Sequence, residues 1–317
     1  MSAQKENEKF RSKKRNEIAG KTVVYLILLL ITAIMIIPFL WMLSASVKSN
    51  REVFLMNPFV WIPEEPKWDN YVKIWTKIPL LKFVSNTVFL TIVVTFLQLL
   101  TSSFAAYSFA KLEFKHKNTL FLAYIATIAM PWQVYMVPQF IMMRGMGLND
   151  KLLAMICLQA FSAFGVFMMK QFYEGIPSEL CEAARIDGMS EYRIYAKIML
   201  PLSKPALSTL TIFTFVNTWN DYLGPLIYLK TETKKTIQLG LKMFIGQYSA
   251  EYGLIMAGSV VSLIPVIIVF LCLQKYFVEG VASTGLKGVA PWLDFLTMLL
   301  QEGRFWEVLG TRFLLSF

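Results

Sequence analysis

Hydrophobic positions along this chain gather into six long runs, near residues 22–45, 84–109, 119–140, 151–173, 205–229 and 253–277, with short charged stretches between them. Each run reaches about 20 residues, the length an α-helix needs to cross the hydrocarbon core of a bilayer. The pattern predicts an all-α, polytopic membrane protein with about six transmembrane helices. The third and fourth runs are the least regular, because Pro131, Pro138, Gln133 and Gln159 interrupt them. Lipid tolerates broken helices only where neighbours or a watery cavity satisfy the freed backbone groups. "SAS" at 44–46 mimics a signal-peptide cleavage site. The apolar stretch from Thr22 to Leu43 is too long for a signal core, so an uncleaved anchor is expected.

Charge supplies the orientation. A basic arm over residues 1–21, containing "KENEKFRSKKRNEIAGK", precedes the first run and should stay in the cytoplasm. Six crossings then leave both termini cytoplasmic, with 19 of the 31 Lys and Arg residues inside and 12 outside. The outer loop 47–83 holds six of those outside charges, so the orientation rests mainly on the first helix. On this topology residues 174–204 face the cytoplasm.

Composition agrees and removes several function classes. The chain is 56% hydrophobic and 16% charged, against about 25% charge in a typical soluble domain. Its net charge of +10 is scattered between apolar runs rather than gathered on one polar surface, which argues against nucleic acid as a partner. Cys157, Cys181 and Cys272 lack any metal-ligand spacing. His116, the single histidine, lies in the basic run "KLEFKHKN" and reads as a solvated loop residue. No metal, no catalytic residue and no cofactor is therefore expected. The chain contains no G-x-x-x-x-G-K-[ST], and "STGLKG" lacks its spacing, so any ATP must be handled by a separate subunit.

The stretch "CEAARIDGMSEYRIYAKIMLPLSKPAL" at 181–207 breaks the apolar pattern. Ser178 is placed to cap a helix whose first turns carry Glu179 and Glu182, where the dipole favours negative charge. Leu180, Ala183 and Ala184 recur at i, i+3 and i+4 as a small, smooth face, and Gly188 can end the helix in the left-handed conformation. A second helix is expected from Ser190-Glu191, with Tyr192, Tyr195, Ile198 and Met199 on one side, until Pro201 stops it or admits only its first turn. Two helices this short are marginal in water unless they dock on something. One reading lays them on lipid headgroups. Their small apolar face carries acids rather than the Lys and Arg of surface-seeking helices, which suits a protein groove better.

Glu182-Ala183-Ala184, three residues, Gly188, nine residues, Ile198, one residue and Leu200-Pro201 together resemble the EAA loop of ATP-binding-cassette (ABC) importer permeases. The resemblance runs over about residues 20–288 and is to the carbohydrate-type, MalG-like permeases. It is carried also by "FAAYSFAKLEF" (104–114), "MPWQVYMVPQF" (130–140), "GLND" (147–150), "FVNTWNDYLGPLIYL" (215–229) and the sixth run with its inner end (256–288). It implies that 174–204 is a coupling loop seated in a cleft of a partner ATPase. Glu182 and Asp187 would then make charged contacts, Ala183 and Ala184 would allow close approach, Gly188 would turn the chain, and Ile198, Leu200 and Pro201 would complete the motif. It further implies a second permease subunit, two ATPases that bind ATP and magnesium, and an extracellular or periplasmic sugar-binding protein. The setting would be a bacterial or archaeal inner membrane. The permease domain would span 22–288. Residues 289–317 lie beyond the resemblance and read as an amphipathic tail with Trp292, Phe295, Phe305, Trp306 and Phe313.

Candidates for the solute path are Asn217, Trp219, Asn220 and Asp221 in the fifth run, with Gln133, Gln159 and Thr214. An acid within a span favours the protein interior or water, and an aromatic face beside amides suits a sugar ring and its hydroxyls. The competing readings are an interfacial aromatic belt for 217–221 and interhelical hydrogen bonding for the glutamines and threonine. Rival functions are an ABC permease for another solute, a secondary transporter and a membrane scaffold. A secondary transporter would need ionisable groups at mid-membrane, where Asp221 is the nearest candidate.

Overall fold

Among the described residues, four helices are long and apolar enough to cross a membrane unaided: Gly20–Ser46, Leu80–Lys111, Leu152–Glu174 and Tyr252–Tyr276. The computed structural model describes residues 2–54, 60–246 and 250–301, with side chains described within 20–54, 60–246 and 250–276. Among these the only non-helical pairing is an isolated bridge between Ile245 and Ala250. The first helix is continuous from Ser2 to Ser46, so the basic arm and the first run form one element. None of the most apolar window of Gly20–Ser46 is buried, as expected of a helix that meets lipid. The last helix, Tyr252–Gln301, carries on through the expected boundary at 288. The aromatic side chains expected on an amphipathic tail, from Trp292 to Phe313, lie outside the described residues.

One of the six expected spans is a bent pair rather than a single helix. In the third, Lys117–Ala129 meets Trp132–Gly145 at 101°. Pro131 causes the break: it disfavours helical backbone at Met130, which sits at ψ 113°, and offers no N–H itself. Pro138, by contrast, is accommodated inside its helix. The fifth span is Lys204–Trp219, which Glu191–Leu202 of the preceding loop meets at 78°. That span ends at Trp219 and not at 229; Leu223–Tyr228 is a separate short helix.

The fourth span is interrupted between Gln159 and Ala163, where two carbonyls lose their helical partners. Both are recovered from the neighbouring span: Gln98 Nε2 donates to the Gln159 carbonyl at 2.6 Å and Thr101 Oγ1 to that of Ala160 at 2.8 Å. Ser162 Oγ then restarts the helix by accepting from Gly165 N at 3.0 Å.

The chain divides into two units, Met1–Leu81 with Ile237–Ile264, and Lys82–Thr236 with Pro265–Phe317. In the first, Asn70 Nδ2 donates to the carbonyls of Ser46 and Lys48 at 2.9 and 3.1 Å, tying the segment that follows the first helix to that helix's end. The second unit holds two apolar cores. One gathers Tyr107, Met169, Tyr173, Ile194, Tyr195 and Met199 around the loop 174–204. The other gathers Leu90, Val94, Met143, Met155 and Tyr228. Gly165 lets two helices of the first core meet closely, since a Cβ there would stand 2.5 Å from Ser102 Oγ.

Candidate functional site

The loop 174–204 forms two short helices, Glu179–Ile186 and Glu191–Leu202, joined at Gly188. Gly188 has φ +76°, the left-handed region in which a side chain is strained. Its N–H bonds the Arg185 carbonyl at 3.0 Å and the Met189 N–H bonds that of Ala184 at 2.9 Å. This is a Schellman stop, and it brings Met189 against the core that buries Ala184.

The faces differ from the expected ones in three respects. Ser178 does not cap the first helix, because its own backbone is already helical; its hydroxyl instead accepts from Lys111 Nζ at 3.3 Å. The inward stripe of that helix is Cys181 and Ala184, while Ala183 is exposed and Leu180 45% exposed. In the second helix, Tyr192 points away from the core at 77% exposure, whereas Ile194, Tyr195 and Met199 are buried. The inner face falls at Ile194, Tyr195, Ile198 and Met199, and a five-residue π-turn spans Tyr195–Met199. The Leu200 N–H bonds back to the Tyr195 carbonyl. Pro201 then falls at the start of a fresh segment where no N–H is called for, and the helix turns at Ser203.

Glu182, Asp187 and Pro201 are exposed, and Ile198 and Leu200 pack half-buried on the core. Ile186, at 86% exposure, joins Leu180, Ala183 and Tyr192 as the uncovered apolar edge of the loop. Charge fixes the opposite side. Arg185 Nε donates to Glu191 Oε1 at 2.7 Å, and Tyr107 Oη donates to Glu191 Oε2 at 2.5 Å. These bonds, Arg185 first, hold the Glu191 carboxyl below its ordinary range against the opposing effect of burial.

A second candidate is a cavity of about 250 Å³ in the same unit. Its lining combines Trp132, Tyr135 and Tyr228 with Gln139, Gln159 and Asp221, closed by Met155, Leu158 and Gly224. Asp221 accepts from Gln159 Nε2 at 2.7 Å and from Gly224 N at 3.1 Å. Trp132 Nε1 donates to Gln139 Oε1 at 2.9 Å. Behind the wall, Thr214 Oγ1 donates to Gln98 Oε1 at 2.9 Å. Aromatic faces, amides and one carboxylate in a single concavity can stack a ring and hydrogen-bond its substituents.

Of the residues expected on a solute path, the structure unites only Gln159 and Asp221 in this cavity, with Thr214 supporting from behind. Gln133 is exposed and lies outside the lining, as do the exposed Asn217 and Asn220. Trp219 is buried and stacked on Phe215, rings 5.6 Å apart and 8° from parallel, so packing occupies a face that a sugar would need. Trp132, Tyr135, Gln139 and Tyr228 were not singled out from the sequence. The first three sit at i, i+3 and i+7, one helical face, and that spacing was the available signal. Among the described residues no group of His, Cys, Asp and Glu could hold a metal ion.

The profile of the family described as "binding-protein-dependent transport system inner membrane component" matches residues 18–283. The chain is 34% identical over 260 residues to an arabinooligosaccharides transport system permease protein of Halalkalibacterium halodurans, covering 81% of this chain and 93% of that one. It is 29% identical to a lactose transport system permease protein of Rhizobium radiobacter, over 83% and 95% of the two chains. A solved bacterial ABC transporter involved in the import of the acidic polysaccharide alginate superposes with a TM-score of 0.71 at 27% identity. That match covers 80% of this chain and 95% of its counterpart.

Proposed function

Because the chain belongs to the family of binding-protein-dependent transport system inner membrane components, we propose that it forms part of the translocation path of an ATP-driven importer for a sugar or oligosaccharide. A second permease subunit completes the path, two ATPases bind ATP and magnesium, and an extracellular or periplasmic binding protein delivers the sugar. Both termini face the cytoplasm of a bacterial or archaeal cell, and the chain itself carries no ATP site.

The observation that carries this reading is the two-sided loop. Its inner side is locked into a core, while Leu180, Ala183, Ile186 and Tyr192 are left as an apolar edge with Glu182 and Asp187 alongside. A membrane protein gains nothing by exposing such an edge to water, and a cleft on an ATPase would cover it. Ala183 and Gly188 set the closeness and angle of the fit. Ile198 and Leu200 anchor it to the permease, and Pro201 opens the last turn before the bend at Ser203. Closure of the ATPases on ATP moves the loop and opens the path outward; hydrolysis resets it. The sugar assignment is supported by the relatives' transport names and by the aromatic and amide lining of the cavity. At about 250 Å³ the cavity is smaller than the ~300–1,000 Å³ usual for drug-sized ligands, so an oligosaccharide would pass it in parts.

The test is copurification of the ATPases with the chain, followed by sugar-stimulated ATP hydrolysis in proteoliposomes across arabino-oligosaccharides, lactose and chitobiose derivatives. Glu182→Lys and Gly188→Pro should insert normally yet separate ATP use from uptake. Normal uptake by both variants, or no sugar response at all from the unaltered complex, would contradict the reading.

A further inference from the structure

One helix is hydrogen-bonded both to the loop and to a residue of the cavity wall. Leu80–Lys111 runs unbroken, without proline or glycine, past the cavity and on to the loop. At its inner end Ser103, Tyr107 and Lys111 fall at i, i+4 and i+8, on one stripe. Each holds a different part of the loop. Ser103 Oγ pairs with Tyr195 Oη at 2.6 Å, Tyr107 Oη bonds Glu191, and Lys111 Nζ donates to the Ile176 carbonyl at 2.5 Å. Arg185 closes the set by donating to Glu191 and, at 3.3 Å, to the Lys111 carbonyl, where a cation also meets the favourable end of the helix dipole. Phe104 stacks on Tyr195, ring centroids 4.2 Å apart.

The middle of the same helix holds the other site. Gln98 and Thr101 grip the two carbonyls at the break in Leu152–Glu174, and that break carries Gln159 to Asp221 in the cavity wall. Gln98 and Lys111 stand about 20 Å apart at 1.5 Å rise per residue. By contrast, the two spans covalently joined to the loop are both interrupted: Leu152–Glu174 breaks between Gln159 and Ala163, and Lys204–Trp219 meets the loop across the 78° turn at Ser203.

We propose that Leu80–Lys111 is the rod that delivers the loop's displacement to the cavity, with Arg185, Glu191 and Tyr107 as the positioning residues that clamp its inner end and Gln98 as the one that moves the cavity wall. The proposal rests on the importer reading above and says where the stroke travels once the loop is pushed. A helix without breaks is stiff along its axis. Hydrogen bonds at its middle and its inner end therefore convert motion of Glu179–Ile186 into motion of Gln159, whereas a sharp turn at Ser203 absorbs displacement by bending. Such a route is physical only if both ends respond to the same element.

The experiment uses the full-length chain assembled with its partner permease and ATPases in proteoliposomes, and reads ATP hydrolysed per sugar imported. Glu191→Gln, Tyr107→Phe and Gln98→Met should each keep the ATPases bound and hydrolysing while uptake falls about tenfold. Arg185→Glu and Glu191→Arg should each uncouple, and the double variant should regain a large part of uptake, which a merely misfolded loop would not allow. Uptake within about twofold of the unaltered complex for both Glu191→Gln and Gln98→Met would overturn the rod. So would a charge-swapped pair no better than its single variants. If the unaltered chain does not retain its ATPases, the importer reading itself fails, and the rod with it.

Discussion

Gly188 offers the sharpest quantitative test, because a Cβ there would meet nothing within 4 Å and only the backbone would object. Holding an L-residue at φ +76° costs about 1–2 kcal/mol. Replacing glycine also narrows the unfolded ensemble, which returns about 0.4–1 kcal/mol. Gly188→Ala should therefore weaken the Schellman stop by about 1 kcal/mol net, a roughly fivefold increase in the population of its open form. Gly188→Asn should cost less, since asparagine adopts the left-handed region more readily. Gly188→Pro should abolish the stop, because proline can neither reach positive φ nor supply the N–H that bonds Arg185. The readout is amide hydrogen exchange at Met189, whose N–H bonds the Ala184 carbonyl, in the purified chain in nanodiscs. The expected order of exchange is Gly slowest, then Asn, Ala and Pro. Equal exchange in the Ala and Gly proteins, or protection surviving proline, would refute the argument.

Three other outcomes follow from the same geometry. Gly165→Ala should destabilise the chain by about 1–3 kcal/mol, since its Cβ would lie 2.5 Å from Ser102 Oγ; adding Ser102→Gly should recover much of the loss, read as thermal unfolding in nanodiscs. Gly224→Ala would place a Cβ 2.5 Å from Asp221 Oδ2 and 2.6 Å from Met155 Cε, so uptake should fall about tenfold with insertion unchanged; normal uptake would remove the cavity from the path. Asp150 is held well below the usual carboxylate range, chiefly by the hydroxyl and N–H of Thr231, then by Lys234 and the Lys230 N–H. A depressed value means the contribution is complete above the unfolded value of about 4 and drains away as pH falls below it. Protease sensitivity of 230–235 should therefore rise only under acid, whereas Asp150→Asn should raise it at neutral pH too, asparagine being tolerated at that residue's φ of +57°.

The sequence alone determined the helical class, the six apolar runs and the place and hinge of the charged loop. Those properties are local: run length against bilayer thickness, a glycine after a helix-forming segment, and a spacing of small and acidic residues are all readable without knowing what packs where. Tertiary structure decided the rest. The bend at Pro131 could be suspected from a proline, but Pro138, seven residues on, bends nothing visible in its own helix, and only the neighbours tell the two apart. Ile194 took the buried face expected of Tyr192, a choice made by the core around Tyr107 and Met169. Trp219, a candidate for the solute path, is packed on Phe215, while Trp132 and Tyr135, not singled out from the sequence, line the cavity. Which face of an apolar helix meets a cavity depends on partners distant in the chain, because in lipid every face is apolar and hydrophobic periodicity stops distinguishing inside from outside.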